Sequence, residues 1–416
     1  MKFDQYRISP DLKESIAKLG FKRPTDIQFK AIPHILKGED VLAIAQTGTG
    51  KTAAFAIPVL NLLHERKLRQ RRPDGIKCLV LAPTRELAIQ ITDVFLELGR
   101  YLKVNSFCIF GGVEQESQIQ KLNKGLDLLV ATPGRMFDLI SQGHLNLSRV
   151  EILILDEADH MLDLGFLRDI EDVLRHLPKR RQTLFFSATI DEKIKKLAYR
   201  IVNKAIRIQI SPKDPVTKKV QHSVVYIEMD DKRFFLERLV NEHEDEKILV
   251  FVRTKVRAER VVKAMERVGI KALSIHGDKE QANRLNVMKQ FRSGTTKLLI
   301  ATDVSARGID IPDVSYVINY DLPEQVENYV HRIGRTGRGA QSGFAISFCS
   351  PNEKLILEEI EDYLGKPITV IALDKEDYKD TVNFSEDHRP DWKALNKEME
   401  AYEKAQQKKR KRKKKK

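Results

Sequence analysis

The sequence predicts an α/β protein with two tandem parallel-sheet domains, a short linker between them and a basic C-terminal tail. Short apolar runs alternate with helical stretches from Val41 to Ser187, and the same rhythm returns from Ile248 to Phe348. Continuous apolar runs are typical of strands that a parallel sheet buries on both faces. A length of 416 residues is long for one hydrophobic core and favours two domains of about 200 residues.

The predicted strands fall into two groups. Those of the first domain are Val41–Ala45, Leu79–Ala82, Cys108–Phe110, Asp127–Ala131, Ile152–Asp156 and Thr183–Ser187. Those of the second are Ile248–Val252, Ala272–Ile275, Lys297–Thr302, Ser315–Asn319 and Gly343–Phe348. Between the groups, Ser, Pro and Lys replace the apolar pattern. We therefore place the domains at 1–210 and 221–366, the linker at 211–220, and a polar extension with a basic tail at 367–416.

Charge is concentrated at the C-terminus. The net charge is +14, and residues 408–416 are nine consecutive lysines or arginines. Such a run predicts a disordered arm that attracts nucleic acid through counterion release, without reading its sequence. A solvated tail with no specific partner is the alternative.

Cysteine usage and hydropathy predict a cytoplasmic protein without a membrane partner. Cys78, Cys108 and Cys349 are scattered, odd in number and without metal-site spacing, which fits thiols in a reducing compartment. No apolar run approaches the ~20 residues that a membrane helix needs, and the first residues lack the apolar core of a signal peptide.

The stretch Ala45–Thr52, Ala-Gln-Thr-Gly-Thr-Gly-Lys-Thr, follows the first predicted strand and leads into a helix. Gly48 and Gly50 let the backbone curl so that successive N–H groups face a phosphate at the helix N-terminus. Lys51 would lie at the β- and γ-phosphates, and the Thr52 hydroxyl would bind Mg²⁺. A glycine-rich turn without a ligand is the alternative, but the strand–turn–helix context favours a nucleotide site.

A second group of residues completes a phosphate-loop NTPase. The apolar run Ile152–Leu155 delivers Asp156 to the Mg²⁺ shell, and the adjacent Glu157 can orient and deprotonate the attacking water. Two acids after a strand could instead cap the next helix. The phosphate loop upstream favours the catalytic interpretation.

The third informative cluster is His331–Arg338, His-Arg-Ile-Gly-Arg-Thr-Gly-Arg. Guanidinium groups neutralise the charge that develops on a transferring phosphoryl group. These arginines follow Lys51 by some 280 residues and lie beyond the linker. If they reach the same γ-phosphate, the active site lies between two domains and hydrolysis depends on closure. A basic loop that binds only nucleic-acid phosphates is the alternative.

Together these motifs resemble those of the DEAD-box ATP-dependent RNA helicases. The resemblance covers Phe3 to about Lys366, and Asp156-Glu157-Ala158-Asp159 matches the tetrapeptide that names the family. His160, the compact domains and the short basic tail look most like the bacterial RhlE-type subgroup. The resemblance implies two RecA-like domains, ATP and Mg²⁺ as cofactors, and local unwinding of short RNA duplexes by RNA-stimulated ATP hydrolysis. It is compatible with ribosome or RNA-decay proteins as partners, in ribosome assembly or RNA turnover.

The resemblance also implies roles for single residues at the nucleotide. Gln28 would read the adenine edge, with Phe21 on the ring and Phe3 nearby, and Asp310 would contact the ribose. Lys51, Asp156, Glu157, Arg335, Arg338 and His331 would form the catalytic group, with Thr52 and Asp156 at the metal. The phosphate loop itself would comprise Ala45, Gln46, Thr47, Gly48, Thr49, Gly50, Lys51 and Thr52.

On the RNA side, the resemblance implies contacts mainly to the backbone, with little sequence preference and with ribose 2′-hydroxyls favouring RNA over DNA. Ser187 and Thr189 would couple the hydrolysis site to the RNA. The implied RNA-binding residues are Arg85, Gly112, Thr132, Arg135, Arg253, Arg284, Thr302 and Asp303.

Two departures and two alternatives stay open at this point. Ala45 replaces the first glycine of the general phosphate-loop pattern, and His160 lies outside the catalytic tetrapeptide. A DNA-directed helicase of the same superfamily is one alternative, against which Gln28 and its lead-in argue. The other is an RNA-binding or annealing module with a merely regulatory nucleotide, against which Lys51, Glu157 and Arg338 argue.

Overall fold

Two parallel β-sheets organise the chain, one in each half. The computed structural model describes residues 2–46, 48–69, 75–210, 216, 219–303, 314–337 and 342–385. Three predicted site residues, Thr47, Asp310 and Arg338, lie outside the described residues, as do most of the linker and the tail from 386 onward. Within the described ranges, each sheet has seven strands, all of them parallel. The predicted fold class is confirmed.

The first sheet has the order β3-β4-β2-β5-β6-β1-β7. Its strands are β1 (Val41–Ala45), β2 (Cys78–Leu81), β3 (Ser106–Ile109), β4 (Leu128–Ala131), β5 (Ile152–Leu155), β6 (Gln182–Ser187) and β7 (Ile206–Ile210). Its helices are α1 (Pro10–Lys18), α2 (Asp26–Leu36), α3 (Lys51–Arg69), α4 (Arg85–Leu98), α5 (Glu116–Asn123), α6 (Pro133–Ser141), α7 (Ala158–Asp163), α8 (Leu167–His176) and α9 (Glu192–Ile201). A 3₁₀ turn at Phe3–Gln5 precedes them.

The second sheet has the order β10-β11-β9-β12-β13-β8-β14. Its strands are β8 (Val220–Tyr226), β9 (Ile248–Phe251), β10 (Ala272–Ile275), β11 (Leu298–Ala301), β12 (Tyr316–Asn319), β13 (Gly343–Cys349) and β14 (Thr369–Val370). Its helices are α10 (Lys232–Glu242), α11 (Lys255–Arg267), α12 (Gln281–Arg292), α13 (Val326–Ile333), α14 (Lys354–Leu364) and α15 (Lys375–Phe384), with a 3₁₀ turn at Pro351–Glu353.

Apolar side chains cover both faces of each sheet, as the continuous apolar runs predict. Along β1, Val41 and Ala43 face one hydrophobic cluster while Leu42 and Ile44 face the other. The second sheet divides its core between two clusters in the same way. In the part of the chain that is described, no helix has the length and apolar character needed to span a bilayer.

Three strands that the structure contains are absent from the prediction: β7, β8 and β14. β7 alternates Ile with Arg and Gln at a sheet edge, and β8 contains Gln221 and His222, so neither forms a continuous apolar run. β14 has two exposed residues and is defined by its pairing with β8. Pairing with a neighbour stabilises these strands, and that neighbour is distant in sequence.

The second domain also extends further than predicted. Its end was placed at Lys366, yet β14 continues the sheet and α15 packs on α10. The Tyr378 hydroxyl donates to an Asp231 carboxylate oxygen at 2.8 Å, and the Arg238 guanidinium donates to Thr381 Oγ1 at 2.6 Å. Residues 367–385 therefore belong to the domain, and the predicted polar extension begins too early.

Candidate active site

The phosphate loop connects the C-terminal end of β1 to the first turn of α3. Gly48 and Gly50 have φ angles of +79° and +91°, a left-handed conformation that glycine adopts without a Cβ clash. A Cβ on Gly50 would also lie 2.6 Å from Gln28 Nε2. Lys51 is buried, and its Nζ has no hydrogen-bond partner among the described residues. A buried, unpaired ammonium at a helix N-terminus fits an anionic ligand such as a phosphate.

Gln28 lies against this loop because the start of α2 holds it there. Its Oε1 accepts a hydrogen bond from the Thr25 backbone N–H at 3.0 Å, and its Nε2 donates to the Gly50 carbonyl at 3.2 Å. Phe21, at 38% exposure, lines the same cavity, with the ring of Phe3 at 6.2 Å. The cavity has a volume of about 650 Å³, enough for a nucleotide.

The two acids predicted to be catalytic follow β5 and are almost fully buried. Burial raises the pKa of Asp156 to about 7, although Lys51 opposes the shift. Burial alone would also raise the pKa of Glu157, but a hydrogen bond and positive charge from His160, with Lys51 and Arg335, outweigh it and lower that pKa. Glu157 has φ of 52°, a conformation that costs a non-glycine residue ~1–3 kcal/mol and is concentrated at functional sites.

Two neighbours of these acids hold the site. The sequence predicts a catalytic role for neither: Asp159 ends the family tetrapeptide, and His160 follows it as a subgroup feature. His160 is buried, and its Nδ1 lies 3.4 Å from Glu157 Oε2. Asp159 Oδ2 accepts hydrogen bonds from the backbone N–H groups of Ala188 and Thr189 at 3.0 Å each, and from Thr189 Oγ1 at 3.2 Å. These hydrogen bonds connect Thr189, one of the two residues predicted to couple hydrolysis to RNA, to the acids that follow β5. The Oγ of Ser187 is buried and has no hydrogen-bond partner within the described ranges.

The second domain contributes Arg335 to this cavity. Arg335 follows α13, is 4% exposed, and lines the nucleotide cavity together with Lys51, Asp156 and Glu157. A small adjoining cavity is lined by Glu157, His160, Arg335 and His331, so both domains enclose it. The structure thus brings a guanidinium from beyond the linker to the phosphate loop.

Direct contacts join the two domains next to this cleft. Arg284 of α12 pairs with Glu86 of α4 at 2.8 Å, and both side chains are largely buried. Gln281 Nε2 donates to Glu86 Oε1 at 3.0 Å, and Arg85 donates to Gln281 Oε1 at 3.2 Å. These contacts hold the domains in a closed arrangement.

Comparison with known proteins identifies the family. The model of the DEAD/DEAH box helicases matches residues 25–197, and that of the helicase conserved C-terminal domain matches residues 231–340. The DEAD-box ATP-dependent RNA helicase CshA of Geobacillus kaustophilus is 42% identical over 361 residues, which cover 86% of this chain and 76% of that protein. The chain belongs to the DEAD-box ATP-dependent RNA helicases.

Solved structures of other DEAD-box helicases share the two-domain fold. S. cerevisiae Dbp5 bound to RNA and ADP BeF3 has a TM-score of 0.79 at 33% identity, covering 92% of this chain and 98% of that one. Mss116 bound to single-stranded RNA and UDP-BeF has a TM-score of 0.82 at 29% identity, covering 91% and 81%. The prediction of tandem RecA-like domains is confirmed.

The two domains of this helicase are arranged more as in Dbp5 bound to RNA than as in Dbp5 bound to a Gle1 variant and IP6. One Dbp5 variant has a TM-score of 0.80 when bound to RNA and ADP BeF3 but 0.73 when bound to a Gle1 variant and IP6, with the same identity and coverage. Because the identity and coverage match, the difference reflects the conformation of the relative. The contacts across the cleft in this helicase agree with that comparison.

The predicted RNA residues of the first domain lie at the carboxyl ends of its strands. Gly112, with φ of +80°, packs so closely on Arg85 that a Cβ would lie 2.1 Å from Arg85 Nη1. Arg135 donates to the Val113 carbonyl at 2.9 Å, while its Nε and Nη1 have no partner in the described part of the chain. Thr132 precedes α6, which bears Arg135.

The predicted RNA residues of the second domain have partners within the protein. Asp303 forms a two-bond ion pair with Arg332, at 2.6 and 2.7 Å. Arg253 contacts the buried carboxylate of Glu353 and donates to the Leu322 carbonyl at 3.1 Å. Thr302 follows β11 and is largely buried. These pairs orient the side chains at one edge of the sheet, and their contact with RNA stays a prediction.

The two residues predicted to bind Mg²⁺ lie in the nucleotide cavity. Among the described residues, no group of three or more His, Cys, Asp or Glu side chains could hold a metal ion. Thr52 and Asp156 both line the nucleotide cavity. Mg²⁺ commonly binds through one or two protein oxygens together with phosphates and water, so these two residues fit a nucleotide-bound Mg²⁺.

Proposed function

We propose that this helicase couples ATP hydrolysis, with Mg²⁺, to the local unwinding of short RNA duplexes through closure of its two domains. The observation that carries this proposal is the position of Arg335. It belongs to the second domain yet lines the cavity of Lys51, Asp156 and Glu157. Hydrolysis in such a site depends on the domain arrangement, so a ligand that favours closure accelerates it.

Each residue has a role that its position supports. Lys51 neutralises the β- and γ-phosphates, while Gln28 reads the adenine edge and Phe21 covers the ring. Glu157 orients the attacking water and accepts its proton. Arg335 stabilises charge on the transferring phosphoryl group. Arg338, which lies outside the described residues, would be the second guanidinium that the family resemblance implies. Mg²⁺, held by Thr52 and Asp156, would lower the charge repulsion between water and phosphate.

RNA binding across both domains would connect hydrolysis to strand separation. Arg85, Gly112, Thr132 and Arg135 offer a first-domain surface to the RNA backbone, and Arg253, Arg284, Thr302 and Asp303 continue it. Arg85 and Arg284 also belong to the contacts across the cleft. RNA that spans both surfaces therefore favours the closed state, and bending of the bound strand in that state disrupts a short duplex.

The finer assignments are part of the same proposal. The RhlE-type subgroup rests on sequence resemblance alone, whereas the Geobacillus relative carries the name CshA. Ribosome assembly or RNA turnover as the setting, with ribosome or RNA-decay proteins as partners, and a cytoplasmic location are likewise proposals.

The decisive experiment is a titration of ATPase activity with single-stranded RNA, duplex RNA and DNA at fixed salt. RNA should stimulate turnover strongly and DNA weakly. Equal stimulation by DNA would favour a DNA-directed helicase, and a rate indifferent to RNA would contradict the coupling.

A Glu157→Gln variant tests the order of events. It should bind ATP and RNA together and remain closed, because the water lacks its base. If that variant supported many rounds of strand remodelling, the nucleotide would be regulatory and the protein an annealing module.

A further inference from the structure

The second domain carries a groove at the amino ends of its strands. Its volume is about 540 Å³, and it lies over the first residues of β12, β13 and β8, where Tyr316, Phe344 and Gln221 line it. The predicted RNA residues Arg253, Thr302 and Asp303 follow the opposite, carboxyl ends of the strands. Thr336, next to Arg335, donates instead to the Ser315 carbonyl at 3.1 Å, beside the groove. The groove and the nucleotide cavity nevertheless share no lining residue. The groove is therefore separate from the helicase site.

Aromatic rings and a few polar groups form the surface of this groove. His243 stacks on Tyr316 with ring centroids 4.3 Å apart, and Tyr316 stacks on Phe344 at 5.3 Å. Phe344 is 40% exposed and Ile371 38% exposed, which is unusual for large apolar side chains that share one cavity. Ser223, Thr369 and Lys366 also line it, so a ligand with an aromatic ring, a hydrogen-bond donor and a negative charge fits this surface.

The chain beyond α15 starts close to this groove. Tyr378 contacts Asp231 at the start of α10, and Thr381 contacts Arg238 two turns later, so α15 advances along α10 in the same direction. The end of α10 is His243, which stacks on the groove residue Tyr316. The described chain ends at 385, at the same end of the domain as the groove.

The following segment contains a side chain of matching chemistry. Residues 386–416 include Trp392, the single tryptophan of the sequence, which is preceded by Pro390 and Asp391 and followed by Lys393. Trp392 follows Ser385 by seven positions, and an extended chain of that length spans up to ~25 Å. A tryptophan has a large apolar ring and one N–H donor, the combination that favours half-open aromatic surfaces.

We propose that Trp392 of this chain docks in the groove, with its ring on Phe344 and Ile371, its N–H directed to Ser223 or Thr369, and Asp391 near Lys366. Docking would anchor the extension to the second domain. The basic run 408–416 would then be tethered by the intervening residues alone, at the end of the sheet opposite the predicted RNA residues Arg253, Thr302 and Asp303. The arm would thereby contact RNA outside the duplex region held at the helicase site.

Trp392 is its own probe, because the intrinsic tryptophan fluorescence of the full-length protein comes from this residue alone. We expect native emission shifted to the blue of the guanidinium-unfolded protein, and acrylamide quenching several-fold weaker. Phe344→Ala should shift the emission to the red and raise the quenching constant several-fold. Tyr363→Ala is the matched control, since Tyr363 lies on α14 outside the groove and is 42% exposed. The control should leave emission and quenching unchanged, and circular dichroism should show both variants folded.

Three results would overturn the proposal. Native Trp392 could be quenched as easily as in the unfolded chain, which would leave the groove to a partner protein. Protection could persist in Phe344→Ala, which would place Trp392 elsewhere. Protection could also rise with protein concentration in step with dimer formation, and the tail of a second copy would then occupy the groove.

Discussion

The seven strands have the same order in both domains, yet the domains differ in whether their buried charged groups are paired within the protein. The first strand of each leads into a helix, β1 into α3 and β8 into α10. In the first domain that connection is glycine-rich and ends at Lys51. In the second it is residues 227–231, with three acidic side chains and no glycine. Acidic side chains repel phosphate, and no residue of 227–231 has the positive φ that turns successive N–H groups toward one anion. One fold therefore offers a phosphate site only where the loop sequence allows it.

The acidic residues that follow β5 in the first domain and β12 in the second also differ in their charged partners. After β5, burial raises the pKa of Asp156 against the opposing charge of Lys51, and Lys51 Nζ has no hydrogen-bond partner among the described residues. After β12, Asp321 pairs with Arg257 at 2.9 Å, and the nearby Glu353 pairs with the fully buried Lys232 at 2.5 Å. The first domain therefore keeps the charge of Lys51 available for a ligand. In the second domain the buried acids pair with basic residues of the same domain, and Arg335 lines the cavity of the first domain.

The largest expected effect is on the residue that crosses between domains. Arg335→Ala should lower RNA-stimulated kcat by about 10³–10⁵-fold, because the transferring phosphoryl group loses its guanidinium. ATP affinity, which depends on the first domain, should change little. The measurement is steady-state ATPase activity with saturating RNA, and Arg267→Ala, exposed on α11, is the control. A kcat near that of the unmodified protein would remove the second domain from the chemistry.

Stability should distinguish the two kinds of buried acid. Glu353→Gln should lower the free energy of unfolding by about 3–5 kcal/mol, because the ammonium of Lys232 loses its carboxylate. Asp156→Asn should leave the nucleotide-free protein equally stable or more stable, since burial opposes the charged form of Asp156. Urea unfolding followed by circular dichroism measures both. Comparable losses in the two variants would contradict the comparison.

The pH dependence of the Glu353 effect follows from its pKa. Burial would raise that pKa, but Lys232 and the Ser350 hydrogen bonds outweigh it and lower it to about 2, below the ordinary 4.5. A carboxylate with a depressed pKa contributes stability above its unfolded value and loses it as the pH falls toward the folded value. The stability difference between Glu353→Gln and the unmodified protein should therefore be constant above pH 4.5 and narrow from there to about pH 2.

A smaller effect is expected at His160, which supports the catalytic carboxylate. His160→Ala should lower kcat by about tenfold, equivalent to ~1.4 kcal/mol of transition-state stabilisation, because Glu157 loses a positioning contact. The KM for ATP and the affinity for RNA should stay constant. His176→Ala, exposed on α8, is the control. A rise in KM with unchanged kcat would show that His160 serves binding instead.

The smallest effect on turnover should come from the basic tail. Deletion of 408–416 should weaken RNA binding and flatten its salt dependence, by ~0.7 in log–log slope for each phosphate that the tail neutralises. Maximal RNA-stimulated kcat should be nearly unchanged, because none of the proposed catalytic residues belongs to 408–416. Binding titrations at several salt concentrations measure the slope. An unaltered slope would make the tail a solvated extension.

The sequence by itself determined the elements whose own residues specify them. The strand before the phosphate loop, β1, has the bounds that the sequence predicts, because a continuous apolar run specifies it locally. The acids after β5 were equally predictable. Edge strands β7 and β14 were missed because pairing, not composition, stabilises them.

Only the tertiary structure decided which charged side chains meet. Arg253, Arg284 and Asp303 look alike in the sequence as polar residues after strands or on a helix, yet the fold gives each a specific partner: Glu353, Glu86 and Arg332. It also brings Arg335 to the phosphate loop and sets His160 against Glu157. Strand periodicity and loop chemistry are short-range properties that a window of residues contains. A contact between residues hundreds of positions apart depends instead on how two complete sheets pack and on the closure of the cleft between them.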